Sequence, residues 1–245
     1  MAQRGLEIDH VSHSYGQRKA LNNISFAVEA GRFCALLGPN GAGKSTLFSL
    51  ATGLFSARSG RISISGHDMA KAPRKALASM GVVFQSPSMD TELSVLENMR
   101  YYAALHGLSG KPALHAIETA LERLSMRERL REKVGALNGG HRRRMEIARA
   151  LLHSPSVLLL DEPTSGLDVA MRRSITEHVH RLVRDEGLTV LWATHLVDEI
   201  EKQDDLVILH QGQIVASGTL DSVCRQEPIA DVFLLLTSKT GDVAA

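Results

Sequence analysis

The sequence predicts an α/β fold with a mostly parallel sheet, an antiparallel β subdomain on its N-terminal side and an inserted helical subdomain. Three observations carry that expectation. Apolar runs of strand length alternate with stretches of helical period, the pattern of repeated βαβ units. One run, residues 33–37, passes directly into a glycine-rich turn and then a helix. A long, mostly helical block at about 86–155 is inserted between two core strands. A chain of 245 residues has ample length to bury a core, and it reads as one domain over 1–245 with a helical tail at 220–245.

Taken in order, residues 6–11, 24–28 and 61–65 are short β-branched runs bounded by turn residues and read as strands. From Lys44 onward, Leu47, Leu50, Ala51 and Leu54 keep helical spacing. Residues 81–84 read as a strand. The stretch from 93 to about 131 reads as mostly helical, with Leu114, Ile117, Leu121 and Leu124 in period. A helix at 142–153, an apolar strand at 157–160, a helix at 169–186 and a strand at 189–193 follow. Residues 206–210 and 213–217 flank Gln211-Gly212 and read as a hairpin. The last few residues read as a loose tail.

Composition narrows the function. Lys and Arg total 28 against 27 for Asp and Glu, so no global field favours nucleic acid as a partner. Purely apolar runs such as 157–160 and 232–236 fall far short of the roughly 20 residues a spanning helix needs. Any membrane role must therefore come through a partner. Cys34 and Cys224 lie far apart in no metal-like spacing, as expected of a reduced, cytoplasmic chain. His10 with His13, and His178 with His180, lack a third ligand for a metal. The run Arg142-Arg143-Arg144 reads as a phosphate-facing or solvated surface.

The strongest chemical signal is Gly38-Pro39-Asn40-Gly41-Ala42-Gly43-Lys44-Ser45-Thr46, a complete phosphate-loop pattern between a strand and a helix. Glycines let backbone N–H groups curl around phosphate oxygens at the positive end of the helix. Lys44 would reach the terminal phosphates and Ser45 would ligate Mg²⁺. The second signal is the apolar strand at 157–160 ending in Asp161-Glu162. Asp161 is placed to hold Mg²⁺ and Glu162 to take a proton from an attacking water. The core is accordingly that of a P-loop NTPase.

These residues resemble the ATP-binding-cassette (ABC) transporter ATP-binding subunits, and further motifs follow in that family's order. Tyr15 matches the aromatic that stacks on adenine, although a strand-end packing role would also suit it. Gln85 matches a glutamine that senses Mg²⁺ and the membrane partner. Leu137-Asn138-Gly139-Gly140-His141 resembles the family signature, and Ser165-Gly166-Leu167-Asp168 the loop after the two carboxylates. His195 matches a histidine that contacts the γ-phosphate. The family usually has Ser and Gln where this chain has Asn138 and His141. Gly139 and Gly140 still offer backbone donors, Asn is an equally good N-cap, and His141 can hydrogen-bond like Gln but also titrates. Either the site tolerates both changes, or its closure is weakened and pH-dependent; tolerance is the favoured expectation.

The resemblance implies ATP and Mg²⁺ as ligands and a composite site, in which the phosphate loop of one copy faces the signature of another. It thus implies a second ABC ATPase chain, most simply in a homodimer, and an integral membrane permease contacted around residues 85–99. The chain would sit peripherally on the inner face of the cell membrane. Residues 86–110 and the ending at 231–237 are similar to export-type subunits handling drugs, polysaccharides or lipid-like molecules. The alternative is a soluble ABC-type ATPase not coupled to transport.

Overall fold

A computed structural model describes residues 4–238. The chain opens with a hairpin, β1 (Arg4–Tyr15) and β2 (Arg18–Glu29), turned at Gly16, whose φ of 59° suits glycine. Then come β3 (Phe33–Leu37) and α1 (Lys44–Ala51). Strands β4 (Ser59–Ile64) and β5 (His67–Asp68) precede α2 (Pro73–Ala78) and β6 (Met80–Val83). The helical block holds α3 (Val95–Leu105), α4 (Gly110–Arg123) and α5 (Gly139–Ala150). After it the chain alternates β7 (Val157–Asp161), α6 (Val169–Glu186) and β8 (Thr189–Thr194). The described chain ends with β9 (Asp205–His210), β10 (Gln213–Thr219), α7 (Leu220–Cys224) and α8 (Ile229–Ser238). The loose tail expected at the C-terminus lies outside the described residues.

Two sheets result. The antiparallel one has the order β2-β1-β4-β5. The larger has the order β10-β9-β3-β8-β7-β6, parallel throughout except for β10. Its central strands are buried along their whole length, and alternate residues serve two different cores. Phe33, Ala35 and Leu37 join the core under α3–α6. Cys34 and Leu36 join the core shared with β1, β2, β4 and α1. Burial pushes the Cys34 thiol far up, so it stays protonated and inert.

Several elements differ from the sequence reading. The first two strands are longer, because their polar outer halves carry no strand signal. Helix α2 was not foreseen, although Pro73 at its first position is a known start signal. The helical stretch from 93 breaks in two at 106–109, where Gly107 takes a φ of 75°. A capping box starts the first half: Ser94 accepts from the Glu97 amide, and the Glu97 carboxylate accepts from the Ser94 amide. Helix α5 begins at Gly139 rather than 142, since Asn138 caps it by accepting from His141 N at 2.9 Å.

Candidate functional site

The parallel strands of the larger sheet end on one edge, where open α/β sheets place their ligands. From β3 the chain enters the loop of Gly38 to Thr46. Gly38 donates its amide to Thr194 O at 3.1 Å, at the end of β8. A side chain at Gly38 would collide with the Leu209 carbonyl, so only glycine fits. Gly43, at the N-cap of α1, has φ 115° and offers no side-chain cap. The first-turn amides are therefore left for a ligand, as in phosphate-binding helices. Gly212, in the turn of the β9–β10 hairpin, donates to Ala42 O at 2.8 Å and accepts from Asn22 N at 2.8 Å. That turn braces the loop from outside.

Lys44 is buried and donates to Gly38 O (2.7 Å) and Pro39 O (3.3 Å). Its Nζ lies 3.2 Å from Glu162 Oε1. Glu162 follows β7 with φ 47°, a left-handed conformation uncommon for a non-glycine residue, and its amide donates to Ala193 O at 3.0 Å. Gln85, two residues past β6, donates from Nε2 to Glu162 Oε2 at 3.2 Å. His195 Nδ1 lies 3.5 Å from Glu162 Oε1. A lysine at the start of α1 and a glutamine and a histidine just past β6 and β8 thus converge on one carboxylate. Beside it, burial pushes the Asp161 carboxyl above its ordinary range, opposed by a hydrogen bond from Ser45. Asp161 Oδ1 has no hydrogen-bond partner among the described residues. A buried carboxylate oxygen without a partner, next to a serine hydroxyl, fits a hard divalent cation.

Gly43, Lys44, Ser45, Gln85 and Glu162 line a cleft of about 810 Å³ together with Tyr15, Asn40, Gly41, Thr46, Gln211 and Gly212, whereas Asp161 and His195 lie outside its lining. Tyr15 is half exposed and stands edge-on to His13 and Phe55, with ring centroids 4.9 and 6.0 Å away. None of Asn138, Gly139, Gly140 and His141 lines this cleft. They begin α5, in the helical block. Gly139 is exposed there, but Gly140 is buried, and a side chain on it would run into Met171. Gly140 therefore points toward its own α6 rather than outward.

Burial, with the charges of Arg129 and Arg144, holds His141 below the ordinary histidine pKa. It is consequently neutral at pH 7 and charges only in acid. His141→Gln is expected to leave ATPase activity within a few-fold of wild type from pH 7 upward. The two pH profiles should separate only on the acid side of the usual histidine range, about 6.5. A separation centred above pH 7 would contradict that placement.

Arg143 departs from the surface role expected of the arginine run: it is buried and donates to the carbonyls of Phe84 and Gln85. Sequence reasoning also missed Gln211-Gly212 as part of the cleft, and Glu199. The buried Glu199 carboxylate accepts from Thr164 and, at 2.9 Å, from Trp192 Nε1, tying the loops after β7 and β8 together. Among the described residues no group of three or more His, Cys, Asp or Glu forms a separate metal cluster, and no helix is long and apolar enough to cross a membrane.

The family model described as ABC transporter matches residues 21–165. The linearmycin resistance ATP-binding protein LnrL of Bacillus subtilis (strain 168) is 35% identical over 222 residues, spanning 90% of this chain and 71% of that protein. The Nod factor export ATP-binding protein I of Burkholderia orbicola (strain AU 1054) is 35% identical over 95% of this chain and 76% of its own length. Among solved structures, cbiO1 from Clostridium perfringens, part of the ABC transporter complex cbiONQ, superposes with a TM-score of 0.84 at 27% identity, covering 98% of each chain. An ATP-binding cassette in a dimeric, post-hydrolysis state bound to ADP and Pi superposes at 0.77 with 25% identity, covering 88% of this chain and 98% of that one. With a phosphate loop, two strand-end carboxylates and this fold in one chain, the protein belongs to the ABC transporter family, as its ATP-binding and ATP-hydrolysing subunit.

Proposed function

We propose that this subunit hydrolyses ATP in a composite site of a homodimer and drives export through a separate integral membrane permease. The observation that carries the hydrolytic part is the convergence of Lys44, Gln85 and His195 on Glu162 at the sheet edge. Glu162 is the general base that takes the proton of the attacking water. Lys44 and the first-turn amides of α1 hold the terminal phosphates, and His195 donates toward the γ-phosphate. Tyr15 stacks on the adenine. Ser45, Asp161 and Gln85 are the residues that would hold Mg²⁺, which when bound polarises the phosphoryl oxygens. Asn138, Gly139, Gly140 and His141 offer the N-terminus of α5 to the phosphates held by the second chain. Those four residues begin α5 in the helical block, away from the cleft of their own chain, which favours a site built from two copies. The dimeric arrangement of the related cassette supports this reading.

Export rests on the Nod factor export relative and on the likeness of residues 86–110 to export-type subunits. The surface around residues 85–99, where Leu93 is exposed, is where the permease would dock, with the exposed Tyr101 and Leu105 of α3 just beyond it, holding the subunit on the cytoplasmic face of the membrane. Detergent extraction of membranes tests this. The chain should co-purify with a multi-helix membrane protein, whereas a chain found wholly in the soluble fraction would favour the uncoupled ATPase.

Lys44→Ala should weaken ATP binding itself. A charge-assisted hydrogen bond to phosphate is worth about 1.5–3 kcal/mol, so roughly 10–100-fold in Kd is expected. Titration with a fluorescent ATP analogue measures it, and unchanged affinity would contradict the phosphate-loop role.

A further inference from the structure

The segment from Phe84 to Ser88 follows β6 at the edge of the larger sheet and belongs to no strand or helix. Gln85, on that segment, is exposed, yet its side chain reaches Glu162. Something must fix the backbone beneath it. Arg143 Nη1 donates to Phe84 O at 2.9 Å and Nη2 to Gln85 O at 3.0 Å. The same Nη1 pairs with Glu146 Oε2 at 2.7 Å, and the other oxygen of Glu146 accepts from Ser88 N at 3.1 Å. Arg149 adds a second hold, donating to Ser88 O at 3.2 Å and Ser88 Oγ at 2.8 Å. One face of α5 thus grips the segment at both ends.

Arg143 and Glu146 side chains are only 9% and 4% exposed. Burying an ion pair rarely repays its desolvation in stability, so such a pair is better understood through what it holds in place. Its main-chain acceptors are the carbonyls on either side of the Gln85 amide. The planar guanidinium fork can serve two carbonyls and a carboxylate at once, which an ammonium cannot match in the same geometry.

We propose that Arg143, oriented by Glu146, is a positioning residue for Gln85. This rests on the reading of Gln85 and Glu162 as parts of the hydrolytic site. Arg143 lies just past the first turn of α5, whose N-terminus at Asn138 is the end offered to the second chain's phosphates. A shift of that helix on engaging its partner therefore reaches Gln85 of its own site through one rigid element.

The test replaces both members of the pair together, Arg143→Gln with Glu146→Gln, in the full-length chain, so that no buried charge is left without its partner. The expected result is a roughly 10–100-fold fall in kcat, the scale of a misplaced positioning group, with KM for ATP within a few-fold of wild type. In a Gln85→Ala background the same pair replacement should cause no further loss, because both changes remove one contact. Arg143→Lys, which keeps the charge and part of the donor set, should recover a share of kcat. Should the doubly substituted chain not fold, the kcat and KM of Arg143→Lys decide the matter: a fall confined to kcat and absent in the Gln85→Ala background supports the role. Losses that multiply in the Gln85→Ala background, a KM that rises in step with the fall in kcat, or wild-type turnover of a folded variant would each overturn it. If Gln85→Ala alone leaves kcat unchanged, the hydrolytic role of Gln85 fails, and this inference fails with it.

Discussion

Glu162→Gln is expected to keep ATP binding and to lower turnover by roughly 10²–10⁴-fold, the usual contribution of a positioned general base. The amide is nearly isosteric, so it can keep a contact with Gln85 and stay within reach of Lys44 and His195. What it loses is basicity. Two side effects follow from the electrostatics. The carboxylate of Glu162 raises the pKa of Asp161, so its removal should let Asp161 ionise more readily. It also removes a negative charge facing the phosphates, so ATP affinity should hold or improve. Paired ATPase and binding assays read both. Near-normal turnover would take Glu162 out of the role, and lost binding would mean its pairing with Lys44 matters more for the loop than for the water.

The proposed composite site gives the second large effect. A Lys44→Ala chain lacks a working phosphate loop. The matching fault belongs in the signature, and Gly139 is the position for it. Asp at Gly140 would be driven into Met171 and would disturb the packing of α5 on α6, whereas Gly139 is exposed at the first position of α5. A carboxylate there is itself attracted to the free amides of the helix N-terminus and so competes with phosphate for them. Each mutant alone should be inactive. Mixed and allowed to exchange, Lys44→Ala and Gly139→Asp chains form heterodimers with one site carrying both faults and one carrying neither. ATPase activity should therefore return, with at most half of the sites intact. If each chain built its site from its own residues, mixing would restore nothing.

The frame of this site was open to sequence reasoning because it is local. A glycine-rich turn between an apolar strand and a helix, or two carboxylates closing such a strand, can be recognised within ten residues; residues 38–46 do run from the end of β3 into α1, and Asp161 and Glu162 do fall at and just past the end of β7. Gln85 and His195 needed the resemblance, since a single polar residue after a strand carries no signal of its own. Arg143 escaped because an arginine among arginines reads as solvated. The overlooked clue is its period: Arg143, Glu146, Ile147 and Ala150 form one buried stripe of α5. Gly140 escaped for another reason. Which way a helix faces depends on what packs against it, and Met171 lies 31 positions further on in the sequence.

The strand order of the larger sheet has a consequence for how the chain is made. Strand β3, which runs into the loop of residues 38–46, hydrogen-bonds only to β8 and β9 among the described strands. Both are synthesised after residue 188, and the turn that bonds Ala42 arrives later still, at Gly212. Until then β3 has no strand partner in its own sheet, and Gly38 lacks the Thr194 carbonyl that anchors it. Long-range pairing of this kind is slow and comes late in folding. On the ribosome, therefore, the phosphate-loop sequence is made well before it has a fixed shape in which to be used. Nucleotide is expected to become a ligand only once the chain has been made as far as Gly212.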